Sequence, residues 1–193
     1  MRIEVLKSDD AEHIVGITEI LNSNKLTRDE LIDLAQSISD DTLVVQLMNG
    51  LLIADDIHLL SAVQNAVNAQ NGEYMLSRSL DVEIIVYASA QRQIGKALEA
   101  LGVNDALKNI AVVVVGINRK QVEKALEEIT KNVGTAFSES FEASAERFEH
   151  IRKHFKIDET EIGVFTDSND IHERQKALSK CVVSRVSLVA IDT

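Results

Sequence analysis

The chain has 193 residues, 45% apolar and 26% charged, with 31 acidic side chains against 20 basic ones. That size and mixture suit one soluble domain, residues 1–193, with a core of its own. The formal charge of −11, with 4 basic and 12 acidic residues in the first 70, leaves no basic stripe of the kind a duplex-binding surface needs. Any contact with nucleic acid has to be small, local, or helped by a basic partner.

One cysteine, Cys181, excludes an internal disulfide. The acidic run Ser8-Asp9-Asp10 is wrong for a signal peptide, and the longest apolar stretch, Ile110 to Ile117, is too short to span a bilayer. The expectation is a cytoplasmic protein with no membrane partner.

In chain order, Arg2 to Leu6 and His13 to Thr18 read as short strands around the Ser8-Asp9-Asp10 turn. Thr27 with Glu30 three residues on is a capping-box signature, and Leu31, Leu34, Ala35 and Ile38 then recur at helical spacing. Leu43 to Met48 reads as a strand, Asn49-Gly50 as a turn, and Leu51 to Ala54 as a short apolar run. Asp55-Asp56 opens a helix with the stripe Leu59, Leu60, Val63, Ala66 and Val67, stopping at Asn71-Gly72.

Val82 to Ala88 reads as a strand, with Ser89 capping a helix that carries Ile94, Ala97, Leu98 and Leu101 and ends at Gly102. Ile110 to Val115 is β-branched on both faces, which predicts a central strand covered on both sides. A helix follows over Gln121 to Val133. Phe137, Phe141, Ala145, Phe148 and Phe155 suggest one face of a further helix, buried as core. Asp170 to about Cys181 reads as helical, and Val186 to Ile191 as a closing strand. These elements predict an α/β (α+β) domain, a mixed sheet of about five strands packed with helices.

Chemistry is sparse. No phosphate loop, dinucleotide fingerprint or nucleophile elbow occurs. His150 and His154 share a helix face, but Arg152 and Lys153 crowd it, so two solvated histidines are expected and not a metal pair. Cys181 reads as a buried, inert thiol. The reading is therefore of a chain with no catalytic residues, no metal and no cofactor. The richest segment runs from Leu76 to Ile94. Glu83 sits there among apolar residues and needs a partner, which Arg78 or Arg92 could supply as a buried ion pair. A small polar site at the ends of the strand is the other reading.

That segment is similar to the small subunit of the KEOPS complex, of archaeal type. The features that carry the resemblance are the Leu- and Ala-rich helix His58 to Ala69, Arg78-Ser79, Val82-Glu83-Ile84, the apolar run Val86 to Ser89, Gln93-Ile94 and Leu101-Gly102. The match is strong over residues 42–117, weaker but in register at 1–41 and 170–193, and slight at 118–169. Two departures stand out. Ala90 replaces the glycine common before the Arg-Gln-Ile step; alanine is strained if the position needs positive φ, but a helix N-terminus tolerates either residue, so the change reads as neutral. Val82 replaces the usual Met or Thr, a change of packing only.

The resemblance implies a non-catalytic subunit without cofactors. It would bind the kinase-like ATPase subunit of KEOPS and help hold the tRNA 3′ end while the complex forms threonylcarbamoyladenosine. An unpaired tail is gripped by stacking and a few hydrogen bonds, which an acidic protein can supply. The local RNA-binding candidates are Tyr74, Met75, Leu76, Arg78 and Arg92, with Ser79, Glu83 and Gln93 as a structural polar motif. Alternatively Tyr74, Met75 and Leu76 only cap the core. The rival functions are an activator or scaffold of the kinase-like subunit without RNA binding, and a small-molecule enzyme built on Arg78, Glu83 and Arg92.

Overall fold

The computed structural model describes residues 1–8 and 11–190. The centre of the predicted Ser8-Asp9-Asp10 turn and the end of the predicted closing strand, Ile191, lie outside them. Five strands form, β1 (Arg2–Lys7), β2 (Glu12–Leu21), β3 (Leu43–Asn49), β4 (Asn109–Gly116) and the short β5 (Thr135–Ala136). They pair in the order β1-β2-β4-β3, with β5 beside β2. Every pairing is antiparallel, so the fold is α+β around an antiparallel sheet and not a mixed one.

Helices cover both faces: α1 (Arg28–Ile38), α2 (Asp56–Asn71), α3 (Leu80–Ala88), α4 (Ile94–Leu101), α5 (Arg119–Val133), α6 (Ala145–His154), α7 (Glu159–Gly163) and α8 (Ile171–Leu188). β4 sits between two neighbours and is buried from Ile110 to Gly116, as its unbroken β-branched run predicts. Its Ile110, Val112 and Val114 pack with Leu31 of α1 and Val122, Leu126 and Ile129 of α5. Ala111, Val113 and Val115 face the larger core with α2, α3 and α8. Gly16 of β2 lets α5 approach closely, since a Cβ there would fall 2.6 Å from Leu126 and 2.7 Å from Val122.

The Thr27–Glu30 capping box is present, and Asp55 caps α2 by accepting from the His58 N–H at 2.9 Å. Three predicted elements differ. Val82 to Ala88 is helical, not a strand. Residues 83–88 are all buried, so an α-helix apolar on every side left no period to read. Ser89 accordingly closes α3, and Gln93 is the cap of α4.

Residues 186–188 continue α8 and do not form a strand. Leu178, Val182, Val186 and Val189 recur at helical spacing, and burial against α2 overrides the β-propensity of valine. The predicted phenylalanine helix is confined to α6. Phe141 lies before it with φ +60°, yet Phe141, Phe148 and Phe155 are all buried in the core. No helix among the described residues is long and apolar enough to cross a membrane.

Candidate functional site

The predicted site residues converge on the turn between α2 and α3 and on the joint between α3 and α4. The chain leaves α2 through Gly72, whose missing side chain makes room for the Tyr74 ring, which a Cβ there would strike. Glu73 then takes a left-handed conformation, φ +58°, and the Tyr74 N–H returns to the Ala69 carbonyl at 3.0 Å. The result holds Tyr74 at the surface, 48% exposed, while Met75 and Leu76 turn partly into the main core.

Glu83 is fully buried, in the first turns of α3, and it does not pair with an arginine. Its two carboxylate oxygens accept from the Leu76 N–H at 3.1 Å and the Ser77 N–H at 2.8 Å. Two backbone donors and the positive end of the helix dipole stabilise the charge where the sequence suggested a guanidinium. Glu83 is thus a clamp that shapes the Tyr74–Ser79 turn from below. Ser77 Oγ donates to the Ser79 carbonyl at 2.8 Å, and Ser79 starts α3 without a side-chain cap.

Arg78 is exposed, with no hydrogen bond or ion pair among the described residues. Arg92 spans the α3–α4 joint and donates to the Val189 carbonyl at 2.7 Å, which ties that joint to the end of α8. Gln93 is exposed and makes no side-chain cap. Burial, with Tyr74 and Glu83 near and Arg92 opposing, pushes the Tyr87 phenol up to about 12. Tyr74, Glu83 and Arg92 are therefore brought within electrostatic reach of one ring, whereas Arg78 and Gln93 stand apart in solvent. Ala90 has φ +52°, so its replacement of glycine is not neutral as the sequence suggested: a Cβ in the left-handed region is strained.

The same joint is pinned from below by two histidines. His58 Nδ1 accepts from the Ala54 N–H at 3.3 Å, which leaves Nε2 to donate to the Ala88 carbonyl at 2.8 Å. Burial pushes its pKa down to about 4. His154 Nε2 lies 3.3 Å from the next carbonyl, Ser89, and its ring stands edge-on to Phe155. It is half-buried and not solvated as the sequence suggested, while His150 stays at the surface. Cys181 is buried, and burial raises its thiol pKa.

Sequence reasoning missed a second polar network. Glu19 of β2, 1% exposed, accepts from Arg147 Nη2 at 2.6 Å, Asn109 Nδ2 at 2.9 Å and the Phe141 N–H at 2.6 Å. Arg147 also donates to the Gly50 and Ile53 carbonyls, and Gln175 Nε2 to those of Ala54 and Phe141. Glu19 amid the apolar alternation of β2 was the available signal, but its partner lies 128 positions away.

A groove runs between the start of α2 and α8. It is lined by Ile57, Phe165, Ala177, Lys180 and Val183, with Ile57 and Phe165 exposed and Lys180 over the Phe165 ring at 5.2 Å. Among the described residues no three His, Cys, Asp or Glu side chains gather as metal ligands.

An α+β chain whose polar clusters brace turns, with an exposed apolar groove along paired helices, has the make-up of a binding protein. The family model for the kinase binding protein CGI-121 matches residues 17–190, and the chain belongs to that family. No curated protein matched it.

Proposed function

We propose that the chain is the non-catalytic kinase-partner subunit of a KEOPS-type tRNA-modifying complex, cytoplasmic and of archaeal type. It binds the kinase-like ATPase subunit and helps hold the 3′ end of tRNA. Membership of a kinase-binding family carries the first part. The exposed apolar residues Ile57 and Phe165 on the α2–α8 groove offer the surface, since solvent-facing apolar side chains gathered at a groove suit a partner's apolar contacts.

Calorimetry with the kinase-like subunit should give a one-to-one complex, and Ile57→Asp with Phe165→Asp should weaken it at least tenfold, about 1.4 kcal/mol. No heat at micromolar concentrations of wild type counts against the partnership. An unchanged affinity in the double variant moves the surface elsewhere.

The RNA part rests on Tyr74, held outward over Gly72, with Arg78 exposed later in the same turn and without a side-chain partner among the described residues. Met75 and Leu76 add apolar edges, and Arg92 gives a second guanidinium across the Glu83-clamped turn. A gel shift should separate full-length tRNA from tRNA lacking its 3′ tail, and Tyr74→Ala with Arg78→Ala should abolish the difference, both sites being exposed. Leu76→Glu should do the same, with a thermal melt alongside because Leu76 is partly core. Equal shifts for both RNAs would sink this part. The charge of −11 favours the second reading, an activator or scaffold of the kinase-like subunit that ignores RNA.

A further inference from the structure

β3 is the sheet edge opposite β1, and its hydrogen-bonded neighbour is β4. The chain itself caps most of its outward side. Leu43 exchanges both backbone bonds with Asp40, at 2.9 and 3.4 Å. The Val45 N–H donates to Ser39 Oγ at 3.1 Å, and the Leu47 carbonyl accepts from the Gln46 side-chain amide. Residues 43, 45 and 47 therefore turn their backbone groups away from β4, as the alternation of an antiparallel ladder requires. Two outward groups between these caps have no partner among the described residues: the Val45 carbonyl and the Leu47 N–H.

Val45, Gln46 and Leu47 line a cleft of about 410 Å³, within the size range of small-molecule sites. The Val45 and Leu47 side chains are buried in the core beside Leu31, so the strand offers its backbone to the cleft. The two walls come from opposite faces of the sheet. α1 brings Leu31 and Ala35 over one face, and α3 and α4 bring Val82, Ile85 and Leu98 over the other. A flat ring lying in the plane of the sheet has its edge on the β3 backbone and an apolar wall against each face. We infer that this cleft binds an uncharged adenine nucleoside, read by the Val45 carbonyl and the Leu47 N–H.

The two free groups require a donor and an acceptor side by side on one ring edge. The adenine amino group donates to the Val45 carbonyl, and ring N1 accepts from the Leu47 N–H. The next position on that edge is a C–H, which needs no partner. Guanine, cytosine and uracil carry a third polar group on the same edge. It meets the Leu47 carbonyl or the Val45 N–H, both already engaged, and stays unsatisfied. A peptide strand needs outward pairs along the edge, and the caps from Asp40, Ser39 and Gln46 remove them. Charge selects the nucleoside over a polyanion. The cleft has one cation, Arg28, which lies 3.7 Å from Asp29, and one anion, Asp81. No cluster of cations is there to hold phosphates. The site makes no use of Tyr74, Arg78 or Arg92.

An NMR titration of the full chain with adenosine is the test. Adenosine should give saturable shifts at the Val45 and Leu47 amides, with a Kd below about 1 mM. Two analogues each remove one bond: dimethylation of the amino group deletes the donor, and carbon in place of ring N1 deletes the acceptor. Each should bind about tenfold more weakly or worse, as should guanosine, cytidine and uridine. Ala35→Phe fills the cleft and should abolish binding. Leu98→Asp, at a site 42% exposed, removes part of one wall and should also weaken it, with a thermal melt confirming that both variants fold. Tyr74→Ala with Arg78→Ala should bind adenosine as wild type does. A wild type without saturable shifts overturns the inference. So does equal binding of the dimethylated analogue, or loss of binding in the Tyr74 and Arg78 double variant. An oligonucleotide of the tRNA 3′ tail that occupies the cleft at lower concentration than adenosine also overturns it, and gives the cleft to RNA.

Discussion

Glu83 keeps its carboxylate in the interior against two backbone N–H groups and no cation among the described residues. Removing it strands both donors beneath the Tyr74–Ser79 turn. Glu83→Ala should therefore cost roughly 2–4 kcal/mol and lower the melting temperature by on the order of 10 °C. Glu83→Gln, which keeps acceptor capacity, should fall between. A melt unchanged in Glu83→Ala would mean that the turn does not depend on the clamp. Ala90 offers the opposite experiment. At φ +52° its Cβ costs about 1 kcal/mol, so Ala90→Gly should stabilise the fold by up to that amount in a denaturant titration. A loss of stability would show that the chain entropy of glycine outweighs the relieved strain.

Elements differ in how far the sequence disclosed them, and the α3–α4 joint shows why. α2 was legible because Leu59, Val63, Ala66 and Val67 leave a polar side to contrast with. α3 was not, since burial on all sides erases the periodicity that separates helix from strand. The need of Glu83 for a partner was readable, but the partner was not. An arginine nearby in sequence is visible, whereas backbone donors presented by a turn become visible only when the turn is folded. The positive φ of Ala90 was signalled only by the glycine expected there.

The joint also predicts a pH response. His58 titrates near 4 in the fold and near 6.5 when unfolded, so as pH falls the unfolded chain takes the proton first. Its contribution is complete above about 6.5 and is lost between about 6.5 and about 4, by up to about 1.4 kcal/mol per pH unit. His13 and His154, also lowered by burial, add in the same direction. Asp55, whose carboxyl burial raises, has the opposite sign and offsets part of the loss at the acid end of the window. Melting temperatures from pH 7 down to 4 should fall in wild type and fall less in His58→Gln. Equal slopes would assign the response to other groups.

For the whole molecule, the doubly covered central strand and its helix-flanked sheet followed from the composition of Ile110 to Val115 alone. The strand order did not, because each pairing of β4 joins segments far apart in the chain. Nor did the Glu19–Arg147 network, for the same reason. That order has a consequence during synthesis. β4 lies between β2 and β3 in space but leaves the ribosome after both of them, about 95 residues behind the end of β2. At translation speeds of roughly 5–20 residues per second, the nascent chain spends on the order of ten seconds with two apolar strands lacking their shared neighbour. During that interval α1 to α4 are made, yet the sheet against which they pack lacks its central strand. The growing polypeptide must be sheltered, or it must hold these strands apart, until Gly116 has emerged.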